Sequence, residues 1–244
     1  MKANIMKKFL LALVFVPLTV FASGAVLHLD KAPDVQGDQA ALQNGAKVFV
    51  NYCLNCHSLS FVRYNRLTEL GLTEQQVREN LMFTADKIGE QMRVAARPTE
   101  QKQWFGVNPP DLTLVARARA SADGSGADWL YTYLRSFYRD DQRTTGWNNT
   151  VFANVGMPHV LWELQGQQAL NHETHKLDVV VPGQMSTTEY DKQVADLVGF
   201  LVWAGEPGAG FRKQVGFGVL AFLLVLFGVS YALKKAYWKD VEKN

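Results

Sequence analysis

Two apolar runs, one near each end of the chain, flank a central stretch whose apolar positions recur mostly at helical spacing. Gln39 to Tyr52 carries Leu42, Ala46, Phe49 and Val50, the i, i+4, i+7, i+8 rhythm of one buried helical face. Val77 to Asn80 with Leu81, Met82 and Phe83 predicts a second helix, ending before the polar stretch around Arg97 and Pro98. Asp111 to Ala120 follows Pro109 and Pro110, which predicts a helix start. Ala127 to Tyr138 is amphipathic, and Glu189 to Ala204 predicts a strong helix stopped by Glu206-Pro207. Alternation with period two is scarce: Val179 to Val181 predicts a short strand, and the Gly, Asn and Thr cluster from Thr144 to Thr150 predicts a loop. No internal repeat or low-complexity tract is visible. The fold class expected is mainly α.

The two terminal runs differ in kind. Lys2, Lys7 and Lys8 precede an apolar run from Phe9 to Phe21, interrupted by Pro17, and small residues Ala22 to Ala25 follow. That order predicts a secretory signal peptide over 1–25, removed in the mature protein. Val215 to Leu233 is nineteen residues without a charge, about 28 Å of helix at about 1.5 Å per residue and close to a bilayer core. Arg212 and Lys213 precede it and Lys234 and Lys235 follow, with Tyr231, Tyr237 and Trp238 suited to an interfacial belt. We therefore expect a periplasmic domain over 26–212, a transmembrane helix over 213–234 and a short cytoplasmic tail over 235–244. The basic tail fits the inside of the inner membrane.

Charge follows this division. The whole chain has 25 Lys plus Arg and 23 Asp plus Glu, but Val26 to Arg212 holds 17 basic against 21 acidic residues. The basic excess belongs to the flanks, and the scattered Lys and Arg of the domain give no stripe for nucleic acid. Two cysteines in 244 residues exclude a disulfide-dense scaffold.

Those two cysteines lie in Cys53-Leu54-Asn55-Cys56-His57, the C-x-x-C-H signature of covalent haem c attachment. On a helical turn, residues i, i+3 and i+4 share a face, so both thiols reach the haem vinyl groups while His57 approaches the iron. A thioredoxin-like dithiol would need a βαβ context that the pattern lacks. A zinc site would have to recruit His172 and His175, whose spacing is tighter than usual. For the sixth iron ligand the candidates are Met82, Met92, Met157 and Met185, with His159, His172 and His175. Met157 is preferred because Gly156 and Pro158 bracket it in a loop, and His159 is its nearest rival.

The chain resembles the cytochrome c1 family over nearly all of its mature length. The resemblance rests on Cys53 to His57, Pro109-Pro110-Asp111-Leu112 running into Arg117-Ala118-Arg119, Gly156-Met157-Pro158, Val194 to Pro207, and the C-terminal span. It implies a c-type cytochrome domain with long loop insertions, one covalent haem c through Cys53 and Cys56, and iron ligation by His57 and Met157. It further implies that Arg119 partners a haem propionate; Arg117 is the weaker candidate. A carbonyl of Pro109 or Pro110 is expected to accept the Nδ1 proton of His57. The implied work is outer-sphere electron transfer within a dimeric quinol–cytochrome c oxidoreductase, a subunit role beside cytochrome b. Electrons would come from the Rieske iron–sulfur protein and pass to a soluble cytochrome c or an equivalent acceptor. A free-standing membrane-anchored cytochrome or an oxidase haem subunit is the alternative. Gly45 and Phe49 resemble the N-terminal helix of c-type cytochromes, with Phe200 or Trp203 opposite. The segments Arg66 to Trp104 and His172 to Val181 depart from the mitochondrial pattern, so the resemblance assigns them no contacts.

Overall fold

The computed structural model describes residues 27–239. The expected signal peptide and the last five residues of the tail lie outside the described residues. The fold is mainly helical, with three separate two-stranded antiparallel ribbons among the described residues. The first helix, α1 (Gln39–Val48), is capped by the Asp38 side chain and runs into a π-helical turn, Phe49–Cys53. After it come β1 (Leu59–Arg63), a 3-10 helix (Tyr64–Leu70), α2 (Glu74–Asn80), β2 (Gln91–Met92), α3 (Pro98–Phe105) and α4 (Val115–Ala118). Then follow α5 (Gly126–Arg135), β3 (Phe137–Arg139), β4 (Trp147–Asn149), α6 (Trp162–Gln165), β5 (Gly166–Leu170) and β6 (Leu177–Pro182). The last two helices are α7 (Thr187–Gly205) and α8 (Ala209–Trp238).

The core is built where α1 crosses α7. A Cβ on Gly45 would collide with the backbone carbonyl of Asp196 and the Cβ of Phe200, so only glycine lets the two helices approach this closely. Phe49 packs on Phe200 at 5.7 Å between ring centroids, and Phe200 stacks on Trp203 at 5.7 Å. Phe49 and Phe200 are fully buried. At the polar edge of the crossing, Asn44 Nδ2 donates to Asp196 Oδ2 at 2.8 Å.

Helix α5 packs on the other side of α7. The buried Tyr190 hydroxyl donates to the Leu134 carbonyl at 2.8 Å, and Arg135 pairs with Asp191 at 2.6 Å. The segment before α1 is strapped onto α5: Asp30 N donates to Thr132 Oγ1 at 2.8 Å, while Asp128 accepts from Ala32 N at 2.9 Å and from Lys31 Nζ at 2.8 Å.

Several expectations shift for local reasons. The helix expected over 111–120 contracts to Val115–Ala118, because the Asp111 carboxylate accepts from Thr113 N at 2.9 Å and holds that stretch as a turn. The helix expected at 77–83 lies at Glu74–Asn80, started by a capping box between Thr73 and Gln76. A second capping box, Ser186 with Glu189, starts α7 at Thr187, two residues ahead of the expected position. The amphipathic stretch 127–138 stops at Arg135, and Phe137–Arg139 pairs instead with Trp147–Asn149. That second strand lies inside the expected loop 144–150. Its asparagines are buried and satisfied by specific partners, so no apolar alternation marked it. The strand at 179–181 extends to Leu177–Pro182 and pairs with Gly166–Leu170.

Helix α8 starts before the expected span at 213–234 and continues beyond it. Its 30 residues have a mean hydropathy of 2.3 over the most apolar window, and none of that window is buried in the domain. It is the one helix among the described residues long and apolar enough to cross a membrane, and it is a candidate anchor. At its root, Glu206 pairs with Arg117, tying the end of α7 to α4.

Candidate functional site

The site begins at the end of α1. Leu54 N donates to Phe49 O at 2.9 Å, the wide π-type closure, and the next turn has Cys56 N and His57 N both donating to Cys53 O, at 3.0 and 2.8 Å. This places Cys53, Cys56 and His57 on one tight turn. Both cysteines are free thiols. Burial pushes the Cys53 thiol up to about 12, with the neighbouring Cys56 adding to the effect, and burial also raises Cys56. A redox-active dithiol has a lowered thiol pKa, so the environment opposes that reading.

His57 is buried. Burial lowers its pKa and so favours the neutral ring, against the smaller opposing effects of the Pro110 hydrogen bond and the nearby Asp111 charge. Nδ1 donates to the Pro110 carbonyl at 2.7 Å. With Nδ1 carrying the proton, the Nε2 lone pair is left for a metal. Of the two proline carbonyls considered, the structure brings Pro110 to the ring.

The start of the strand that follows is fixed by side-chain and backbone bonds from the 111–112 stretch. Leu112 N donates to Ser58 O at 2.9 Å, and Ser60 N donates to Asp111 Oδ2 at 2.7 Å. Asp111 sits below its ordinary pKa: burial raises it, but hydrogen bonds from Thr113 and Ser60 outweigh that. The proline-aspartate-leucine block is thus hydrogen-bonded to the residues that follow the attachment motif, and Asp111 is a residue whose positioning role the motif alone did not reveal.

A second cluster forms around Tyr133 on α5. Its hydroxyl donates to the sulfur of Met157 at 3.4 Å. Burial pushes the Tyr133 hydroxyl up to about 12, with Arg119 pulling the other way, so it stays a donor. Its ring stacks on Trp129 at 4.8 Å between centroids. The Arg119 guanidinium lies over Trp129 at 4.4 Å from the ring centroid and near Phe152 at 5.6 Å. Among the described residues Arg119 makes no ion pair, unlike Arg117, which is taken by Glu206. Tyr133 therefore links the two side chains, Met157 and Arg119, that the sequence singled out. The sequence missed Tyr133 because an aromatic on an amphipathic helix face reads as core.

The other candidate ligands are placed elsewhere. Met92 is fully buried beside Leu59 in the β1–β2 ribbon. His159 is buried between Phe137, stacked at 4.8 Å, and Trp147, edge-on at 5.1 Å, and burial lowers its pKa to about 4. It behaves as a neutral core ring. His172 and His175 sit on the exposed turn between β5 and β6, where His172 lies close enough to Asp140 to help depress that carboxyl. Among the described residues no group of three or more His, Cys, Asp or Glu side chains is arranged to hold a metal ion, so the zinc reading finds no cluster.

Two free thiols and a neutral imidazole on one turn, with a thioether held by a hydroxyl donor on another element, are the donor chemistry that a covalently attached haem needs. A haem-attachment turn closing a helix crossed by a later helix defines a c-type cytochrome. The chain belongs to the cytochrome c1 family: the profile described as Cytochrome C1 family matches residues 31–241. Over 238 residues it is 48% identical to a Nitrosomonas europaea protein named ammonia monooxygenase gamma subunit, covering 98% of this chain and 99% of that one. Over 249 residues it is 47% identical to cytochrome c1 of Allochromatium vinosum, covering 97% of this chain and all of that one. It is 27% identical to a protein of Bradyrhizobium diazoefficiens named cytochrome b/c1, covering 83% of this chain and 34% of that longer one. The cofactor of the family is haem c, and Cys53 and Cys56 have the spacing for it.

Proposed function

We propose that this chain is the electron-carrying haem subunit of a quinol–cytochrome c oxidoreductase, working with cytochrome b and the Rieske iron–sulfur protein. The observation that carries the reading is the His57 Nδ1 bond to Pro110 O at 2.7 Å, on the same turn as the two free cysteines. When bound, the haem supplies a one-electron iron couple. Cys53 and Cys56 would fasten it as thioethers. His57 would offer Nε2 to the iron, with the Pro110 carbonyl fixing the plane and raising the basicity of the ring. Met157 would offer its thioether sulfur, a ligand type that favours the ferrous state and raises the potential. Arg119, with no carboxylate partner among the described residues, offers its guanidinium fork to a propionate.

In this scheme no bond of a substrate breaks at the chain. Quinol oxidation belongs to cytochrome b. The chain would take an electron from the Rieske protein and hand it to a soluble cytochrome c or an equivalent acceptor, within a dimeric complex. The slightly acidic domain suits a basic acceptor at low ionic strength. The signal peptide at 1–25 exports the domain 26–212 to the periplasm. Residues 213–234, inside α8, cross the inner membrane among its lipids, and 235–244 remain cytoplasmic.

A second reading, the haem subunit of an oxygenase assembly, draws on one observation, the name borne by the Nitrosomonas relative. Copurification from native membranes separates the two. Recovery of a stoichiometric assembly with b-type haem and a Rieske electron paramagnetic resonance signal is expected. Recovery with oxygenase subunits, or of the chain alone, overturns the first reading. A pyridine haemochrome spectrum of the isolated chain checks the covalent haem.

A further inference from the structure

Motif and resemblance give the segment Arg66 to Trp104 no role, yet part of it lies against the haem-attachment turn. Met92 pairs with Leu59 across the β1–β2 ribbon, and Val94 N donates to Ser58 Oγ at 3.0 Å. Gln101 Nε2 donates to the Cys56 carbonyl at 2.9 Å, across 45 positions of sequence. Residues 56–60 are therefore held by two separate segments: Pro110, Asp111 and Leu112 bond them from one, and Met92, Val94 and Gln101 engage them from the other.

Gln101 stands out within α3. Gln101 is the single buried residue of that helix, 5% exposed, whereas Trp104 and Phe105 are 62% and 50% exposed. A helix normally docks through a buried apolar stripe. Here the docked side chain is an amide, and burying an amide is unfavourable unless it is hydrogen-bonded. Its nitrogen meets the carbonyl of the residue that carries the second thiol and precedes the histidine. That carbonyl belongs to the Cys56–His57 peptide, whose rotation would turn the imidazole and move the Cys56 sulfur together.

We infer that Gln101 is a positioning residue for the haem site, locking the Cys56–His57 peptide through its side-chain amide while Pro110 locks the imbedded ring. The inference rests on the proposed reading of Cys53, Cys56 and His57 as haem ligands. The two locks act on different atoms: Nδ1 to Pro110 fixes the ring, while the peptide, held at its N–H end by His57 N donating to Cys53 O at 2.8 Å, has its carbonyl end fixed by Gln101. Gln101 thereby couples α3 to the attachment turn.

The test uses the full chain in detergent, wild type beside Gln101→Leu, which keeps bulk and removes the donor. Wild type should show covalent haem in the pyridine haemochrome assay and one sharp low-spin ferric signal in electron paramagnetic resonance. In Gln101→Leu the covalent haem should remain while the ferric signal broadens, reporting a spread of imidazole orientations. Amide hydrogen exchange across Pro98–Phe105 should rise about tenfold, equal to about 1.4 kcal/mol. If Gln101→Leu does not accumulate, Gln101→Asn, one methylene too short to reach Cys56, is read the same way. A variant that matches wild type in signal width and exchange overturns the role of Gln101 and leaves the haem reading standing. Wild type without covalent haem overturns both.

Discussion

The Tyr133 hydroxyl donates to the Met157 sulfur at 3.4 Å, from a ring held in place by Trp129 on one side and Phe137 on another. A donor at a ligating thioether draws electron density from the sulfur and favours the ferrous state. In Tyr133→Phe, haem ligation should persist and the midpoint potential should fall. A weak hydrogen bond of about 0.5–1 kcal/mol corresponds to roughly 20–45 mV for one electron, at about 59 mV per tenfold. Redox titration in both forms measures it, and an unchanged potential would remove Tyr133 from the site.

Met157→Leu tests the ligand itself. Covalent haem should survive because Cys53 and Cys56 are untouched, while the weak red absorption band that reports thioether-to-ferric-iron bonding should vanish and the potential drop. Persistence of the band would move the assignment to another methionine.

The helix crossing gives a stability prediction. Gly45→Ala places a Cβ against the Asp196 carbonyl and the Phe200 Cβ, both in packed core. Overpacking there should cost about 3 kcal/mol and lower Tm by roughly 6–12 °C. Gly37→Ala, with open space at the same position of its residue, serves as the control and should leave Tm nearly unchanged. Thermal unfolding followed by circular dichroism compares them.

Asp128 predicts an acid limb. Burial alone would raise its pKa, but donation from Lys31, the Ala32 N–H and Ser125 outweighs it and holds the carboxyl at about 2. The folded value lies below an unfolded value of about 3.9. Its contribution is therefore complete above about pH 4 and is lost as pH falls towards 2, on the order of 2 kcal/mol in all. Asp128→Asn should be less stable at neutral pH and show a shallower loss of stability between pH 4 and 2. Equal acid slopes in the two proteins would contradict this.

Much of the site was legible because covalent attachment is a local demand. Cys53, Cys56 and His57 must share one turn, so their spacing is written in adjacent letters, and a membrane-length helix likewise announces itself by an uninterrupted apolar run. Helices α1, α5 and α7 were legible for the same reason, since each buries a continuous face. The Asp111 turn and the buried strand Trp147–Asn149 were not, because there side-chain hydrogen bonds to distant or neighbouring backbone decide the conformation and leave no periodic trace.

That two cysteines and a histidine form one attachment turn, that Gly45 belongs to a helix, and that an apolar helix follows Pro207 can all be read from the order of residues. Which carbonyl meets His57, which hydroxyl meets Met157, and that Gln101 reaches Cys56 from 45 residues away are settled by the folded chain alone. The physical reason is range. Spacing along a helix is fixed by backbone geometry and can be read one turn at a time, whereas a hydrogen bond between remote segments exists only after the whole core has set the distance between them.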